Sequence, residues 1–120
     1  HNCAMSSLNL EPSGELYVCL DMADSKHYPL GNAITGEFKD EVFQMLKDRS
    51  NKLNSACISC DCFKECQGGC MNEAIESTGE VYGKTHYCGT WKTVFSMIDE
   101  GIKERGISEV KEWMNKISSR

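Results

Sequence analysis

Residues 57–70 read CISCDCFKECQGGC. Five of the chain's eight cysteines fall here, as Cys57-x2-Cys60-x5-Cys66-x3-Cys70 with Cys62 inside the run, and Cys88 follows. Thiolates at such intervals are laid out to wrap a metal centre rather than to pack a core. Cys3 and Cys19 precede the run, and eight thiols suffice for two four-thiolate sites.

Composition narrows the classes. A chain of 120 residues, 40% hydrophobic and 8% aromatic, suits one domain with a modest core or two small lobes. Residues 56–90 are poor in aliphatic side chains, so that third is expected to draw on something besides burial. Metal binding can fill that role, because its free energy becomes folding free energy. The net charge is −5, with acids and bases intermixed and no basic stripe, which argues against a nucleic-acid partner. No apolar run reaches membrane-spanning length and no signal-peptide pattern is visible. The chain starts at His1-Asn2 and reads as a fragment of a longer protein. Six cysteines crowd into residues 57–88, and two long amphipathic helices need no staple. Cytoplasmic metal binding is therefore expected rather than a disulfide framework.

Working outward, Leu8 and Leu10 alternate with polar neighbours before the turn Glu11-Pro12-Ser13-Gly14, and Glu15 to Leu20 resumes as a β-run. This predicts an N-terminal β-hairpin over residues 4–20, with Leu16, Val18 and Leu20 on one face and Cys19 on the other. Residues 21–36 read as an irregular loop, with Thr35 capping a helix over residues 37–53. Residues 57–70 read as irregular, residues 71–77 as a short helix before Thr78-Gly79. A helix capped by Thr90 is expected to turn Trp91, Val94, Phe95, Ile98 and Ile102 inward and to stop at Gly106. A second, from about Ser108, would bury Val110, Trp113, Met114 and Ile117. The expected fold is a small α+β metal-cluster domain: hairpin, helix, cysteine-rich irregular region and C-terminal helices.

Which metal the spacing serves stays open between two chemistries. An iron–sulfur cubane tolerates uneven intervals, and Cys57-x2-Cys60 supplies one close pair while Cys66 and Cys70 approach from the loop beyond. Gly68 and Gly69 would permit tight turns there. Zinc favours two matched close pairs, and this chain has a single C-x2-C, although His86 beside Cys88 could join such a site. A cysteine–histidine nucleophile using His27 or His86 is a third chemistry with no further support. The carboxylates are scattered along the helices without an isolated pair.

Taken together, Cys3-x10-Gly14-x4-Cys19, then Cys57-x2-Cys60-x5-Cys66-x3-Cys70, then Cys88 resembles the seven-cysteine pattern of the SPASM domain. That family forms the C-terminal extension of many radical S-adenosylmethionine enzymes that modify peptides and proteins. Gly14-Glu15-Leu16-Tyr17-Val18-Cys19, Leu30-Gly31-Asn32, Gly68-Gly69-Cys70 and Tyr87-Cys88 agree with it. The resemblance spans Cys3 to Cys88, leaving residues 89–120 as a C-terminal helical part.

The resemblance implies two auxiliary [4Fe–4S] clusters: Cys3, Cys19 and Cys70 on the first, and Cys57, Cys60, Cys66 and Cys88 on the second. The first cluster's fourth ligand is unassigned. Cys62 departs from the pattern, either as a spare thiol or as an added ligand. No C-x3-C-x2-C triplet occurs, so the catalytic domain that binds S-adenosylmethionine would lie outside this chain, in cis. The implied partners are that domain, a peptide or protein substrate, and a protein that donates or accepts electrons. The implied role is electron transfer or substrate engagement beside a radical active site, with a zinc-stabilised structural or interaction module as the alternative.

Overall fold

Pro12-Ser13-Gly14 reverses the chain between β1 (Asn9–Leu10) and β2 (Glu15–Tyr17), with Asn9 opposite Tyr17 and Leu10 opposite Leu16. The turn is closed by the Gly14 N–H donating to the Glu11 carbonyl at 2.8 Å. A hairpin is present but spans residues 9–17 rather than the expected 4–20, and two further strands extend it. β3 (Gly31–Asn32) and β4 (Glu37–Phe38) complete a four-stranded antiparallel sheet in the order β1-β2-β3-β4. The computed structural model describes residues 2–119.

Three expectations change here. β2 ends at Tyr17, and Cys19 caps a helix, α1 (Leu20–Asp24), which buries Met22 and Ala23. Tyr17 and Val18 are buried while Leu20 is 61% exposed, so the expected Leu16–Val18–Leu20 face does not exist. Strict alternation fails because the chain leaves the sheet after Tyr17 and turns both Tyr17 and Val18 toward the core. Residues 21–36 are not an irregular loop, since they hold α1 and β3. The next helix, α2 (Asp40–Lys47), starts three residues late. Thr35 lies in the β3–β4 turn, its hydroxyl donating to the Asn32 carbonyl, and Phe38 is a strand residue. Asp40 and Glu41 in the first turn of α2 suit the positive end of its dipole.

The chain then makes short turns: α3 (Arg49–Lys52), α4 (Ser55–Ile58) and α5 (Phe63–Cys66). Residues 57–70 are thus partly helical, in single turns too short to carry a period. α6 (Met71–Thr78) ends on Gly79, as expected for that stretch. Ala4, Tyr17, Val18, Met22, Ala23, Leu30, Leu46, Met71, Ile75 and Val81 form one buried cluster. Helices on both sides of the cysteine run therefore share a core with the sheet.

The chain divides into two compact units, His1–Cys88 and Gly89–Arg120. α7 (Cys88–Arg105) and α8 (Ile107–Ser118) flank Gly106, where a break was expected. α7 begins at Cys88 rather than after a Thr90 cap. Neither helix buries a residue, and Trp113 is 63% exposed, so the stripes expected to face inward are not core. Two helices alone have one mutual seam and cannot cover the width of two apolar stripes. Neither is long and apolar enough to cross a membrane.

Candidate metal centre

Each cysteine sits where a helix begins or a turn closes. Cys3 opens a 3-10 turn, Cys3–Met5, capped by Asn2. The buried Asn2 side chain donates to the carbonyls of Leu46 (2.9 Å) and Lys47 (3.1 Å) and accepts from the Ala4 N–H. That clamp fixes Cys3 at the end of α2. The Ser7 hydroxyl donates to the Val18 carbonyl at 2.8 Å, which holds this turn beside Cys19. Cys19 caps α1, and Cys70 caps α6. Those two helices are tied by Asn72, whose amide donates to the Ser25 hydroxyl and whose oxygen meets His27 Nδ1 at 3.0 Å.

The second group is built from local turns and one returning segment. Asn54 caps α4 through the Cys57 N–H, and the Cys60 N–H donates to the Cys57 carbonyl. Cys62 caps α5 and Cys66 closes it. The returning segment is anchored by Thr85, whose N–H donates to the Gly68 carbonyl at 3.0 Å and whose hydroxyl donates to Glu73 at 2.6 Å. The Tyr87 N–H bonds back to the Thr85 hydroxyl, and Cys88 follows immediately. His86 lies against Tyr87 with the rings tilted at 42° and their centroids 3.8 Å apart.

Two of the thiols feel their neighbours. Burial pushes the Cys19 thiol up; the Met22 backbone opposes this, and the neighbouring Cys3 and Cys70, then Asp21, add to it. Burial also pushes the Cys57 thiol up, reinforced by Cys88 and Cys66 and opposed by Lys84 and Arg49. A nearby negative charge disfavours a second one, so these are statements of proximity as well as of acidity. None of the eight cysteines forms a disulfide. Among the described residues, no three or more His, Cys, Asp or Glu side chains are gathered as a ligand set for a metal ion.

The residue that organises the site is one that sequence reasoning passed over. Arg49 is 2% exposed. Its Nε donates to the Val81 carbonyl at 2.7 Å. Nη1 donates to Gln67 and Gly69, and Nη2 to Gly68 and Gly83, at 2.8–3.2 Å. Gln67, Gly68 and Gly69 all have positive φ, which turns three successive carbonyls onto the guanidinium. The two glycines thus serve the arginine: a Cβ on Gly69 would overlap Thr85, and one on Gly68 would lie 2.7 Å from Leu53 Cδ1. Nothing in the residue pattern marks Arg49, because every hydrogen-bonding partner is a backbone carbonyl.

No protein-family model matches this chain, and no curated protein or solved structure is significantly similar to it.

Proposed function

We propose that residues 3–88 bind two [4Fe–4S] clusters, as an auxiliary domain of a radical S-adenosylmethionine enzyme acting on a peptide or protein. The observation that carries this reading is the grouping of the cysteine-bearing segments. The Ser7–Val18 bond links the segments carrying Cys3 and Cys19, the Asn72–Ser25 bond links the helices that follow Cys19 and Cys70, and the Thr85–Gly68 bond returns the segment carrying Cys88 to the turn after Cys66. These links follow the two ligand groups that the SPASM resemblance assigns, with Cys57 and Cys60 joining the second.

The donor set fits the clusters. Eight cysteines without a disulfide offer soft thiolate ligands, and a buried guanidinium nearby lacks a carboxylate partner among the described residues. Bound clusters would supply one-electron transfer at potentials set by ligands, burial and hydrogen bonding. The chain's own residues fix the geometry. Asn2 and Ser7 hold Cys3 beside Cys19, Asn72 joins the helices capped by Cys19 and Cys70, and Thr85 returns Cys88 to the glycine turn. Because Cys70 follows that turn directly, the backbone links the two centres. The partners in this reading are a catalytic domain in cis, a peptide or protein substrate and an electron-carrying protein, in a reducing compartment.

Single-ligand variants test the grouping. Cys19→Ser and Cys57→Ser, each reconstituted without oxygen, are expected to retain roughly half the iron and sulfide of the parent, as one cubane is lost. The double variant should retain almost none. If either single variant kept the full complement, the ligand grouping would be wrong. Cys62→Ala should leave iron content unchanged, and a loss of about half would make Cys62 a ligand.

A further inference from the structure

Arg49 carries a full charge that its hydrogen bonds do not neutralise. Its three nitrogens donate to five carbonyl oxygens, so every polar need except charge is met. Lysine and arginine are almost never fully buried unless paired, and an uncompensated buried charge is strongly unfavourable. The ion pairs formed among the described residues involve Lys26, His27, Arg105 and Lys116, and none includes Arg49. Its acceptors Gln67 and Gly69 adjoin Cys66 and Cys70 in the chain; burial pulls the guanidinium down, opposed by the thiols of Cys70, Cys57, Cys66 and Cys3. Two belong to each of the groups described above.

We propose that Arg49 is a positioning residue and the shared counter-charge of both metal centres, held by the carbonyls of residues 67–69, Val81 and Gly83, and that it raises both reduction potentials. The proposal rests on the cluster reading above. Thiols are neutral when protonated, whereas metal binding keeps them as thiolates. The charge that balances Arg49 thus arrives with the metal. A fixed positive charge beside an anionic centre favours the state carrying one more electron. In the titration below, that electron comes from added dithionite and reduces each cluster from the 2+ to the 1+ state.

The test is a redox titration of full-length, anaerobically reconstituted protein, followed by visible absorption and low-temperature electron paramagnetic resonance. Parent, Arg49→Lys and Arg49→Gln are compared. A closer neutral isostere is citrulline in place of Arg49, introduced by ligating synthetic residues 1–56 to 57–120 at Cys57. The neutral forms should lower the reduction constant of both clusters by about tenfold, or about 59 mV for a one-electron couple. Arg49→Lys should stay near the parent potentials, although its ammonium cannot reproduce the fork. If only the charged forms load clusters, that also supports the counter-charge. Neutral forms that load with unchanged potentials overturn the proposal, as does failure of every variant, lysine included, to load. A parent protein that takes up no iron and sulfide would instead sink the cluster reading beneath it.

Discussion

Arg49→Ala is expected to destabilise the first unit by about 4 kcal/mol, the scale on which a large buried side chain and the hydrogen bonds it donates are lost together. Three effects add in the same direction. The five carbonyls of Gln67, Gly68, Gly69, Val81 and Gly83 lose their donor inside the protein. Each carbonyl that water cannot reach costs about 1–3 kcal/mol. The cavity left by a long side chain removes packing around Leu53 and Gly68. Three successive residues with positive φ also lose the bonds that hold them there. Small domains have about 5–15 kcal/mol of total stability, so the midpoint in urea should fall by a large fraction of its value. Urea unfolding of metal-free protein under reducing conditions measures this without invoking the clusters. A loss below about 1 kcal/mol would show that the carbonyl cradle is not what holds residues 67–83 together.

Gly31→Ala is expected to be comparably damaging, for a reason confined to the sheet. Gly31 has φ +140°, which side-chain-bearing residues rarely adopt, and it pairs with both Leu16 and Phe38. A Cβ there would overlap the Glu37 carbonyl oxygen and lie 2.9 Å from Phe38 Cα. Backbone cannot rotate aside as a side chain can, so relief requires parting β3 from β4. The expected cost is about 3–5 kcal/mol, combining backbone strain with overpacking. Gly36→Ala is the matched control. Gly36 also has positive φ, +75°, but its Cβ would meet open space. It should cost about 1–2 kcal/mol, from conformation alone. Equal urea midpoints for the two variants would contradict this account of Gly31.

These two residues show what was and was not legible in the chain. The first hairpin could be read because Pro12-Ser13-Gly14 is a local instruction. The same holds for α6 with its stop at Gly79, and for the break at Gly106. β3 and β4 were not legible, because a strand of two residues is too short to show alternation. The α7 and α8 stripes correctly indicated helix but not burial: periodicity reports conformation, and the layer that would cover a stripe is a separate matter. Leu20 was misassigned because alternation was carried past the point where the chain leaves the sheet. Arg49 was invisible for a different reason. Its acceptors lie 18–34 positions away and are main-chain atoms, which no residue pattern encodes. At the candidate centre, the family resemblance supplied the expected grouping of cysteines, while the bonds that link the segments carrying them (Ser7–Val18, Asn72–Ser25 and Thr85–Gly68) emerged only from the fold.

The most direct test of the central claim is the metal and sulfide content of the parent protein, purified and reconstituted without oxygen in the presence of iron, sulfide and zinc. Two cubanes predict roughly eight iron and eight sulfide per chain, a brown colour bleached by dithionite, and zinc well below stoichiometric. Stoichiometric zinc with no acid-labile sulfide, in a colourless protein, would contradict the cluster reading and leave a zinc-stabilised module in its place.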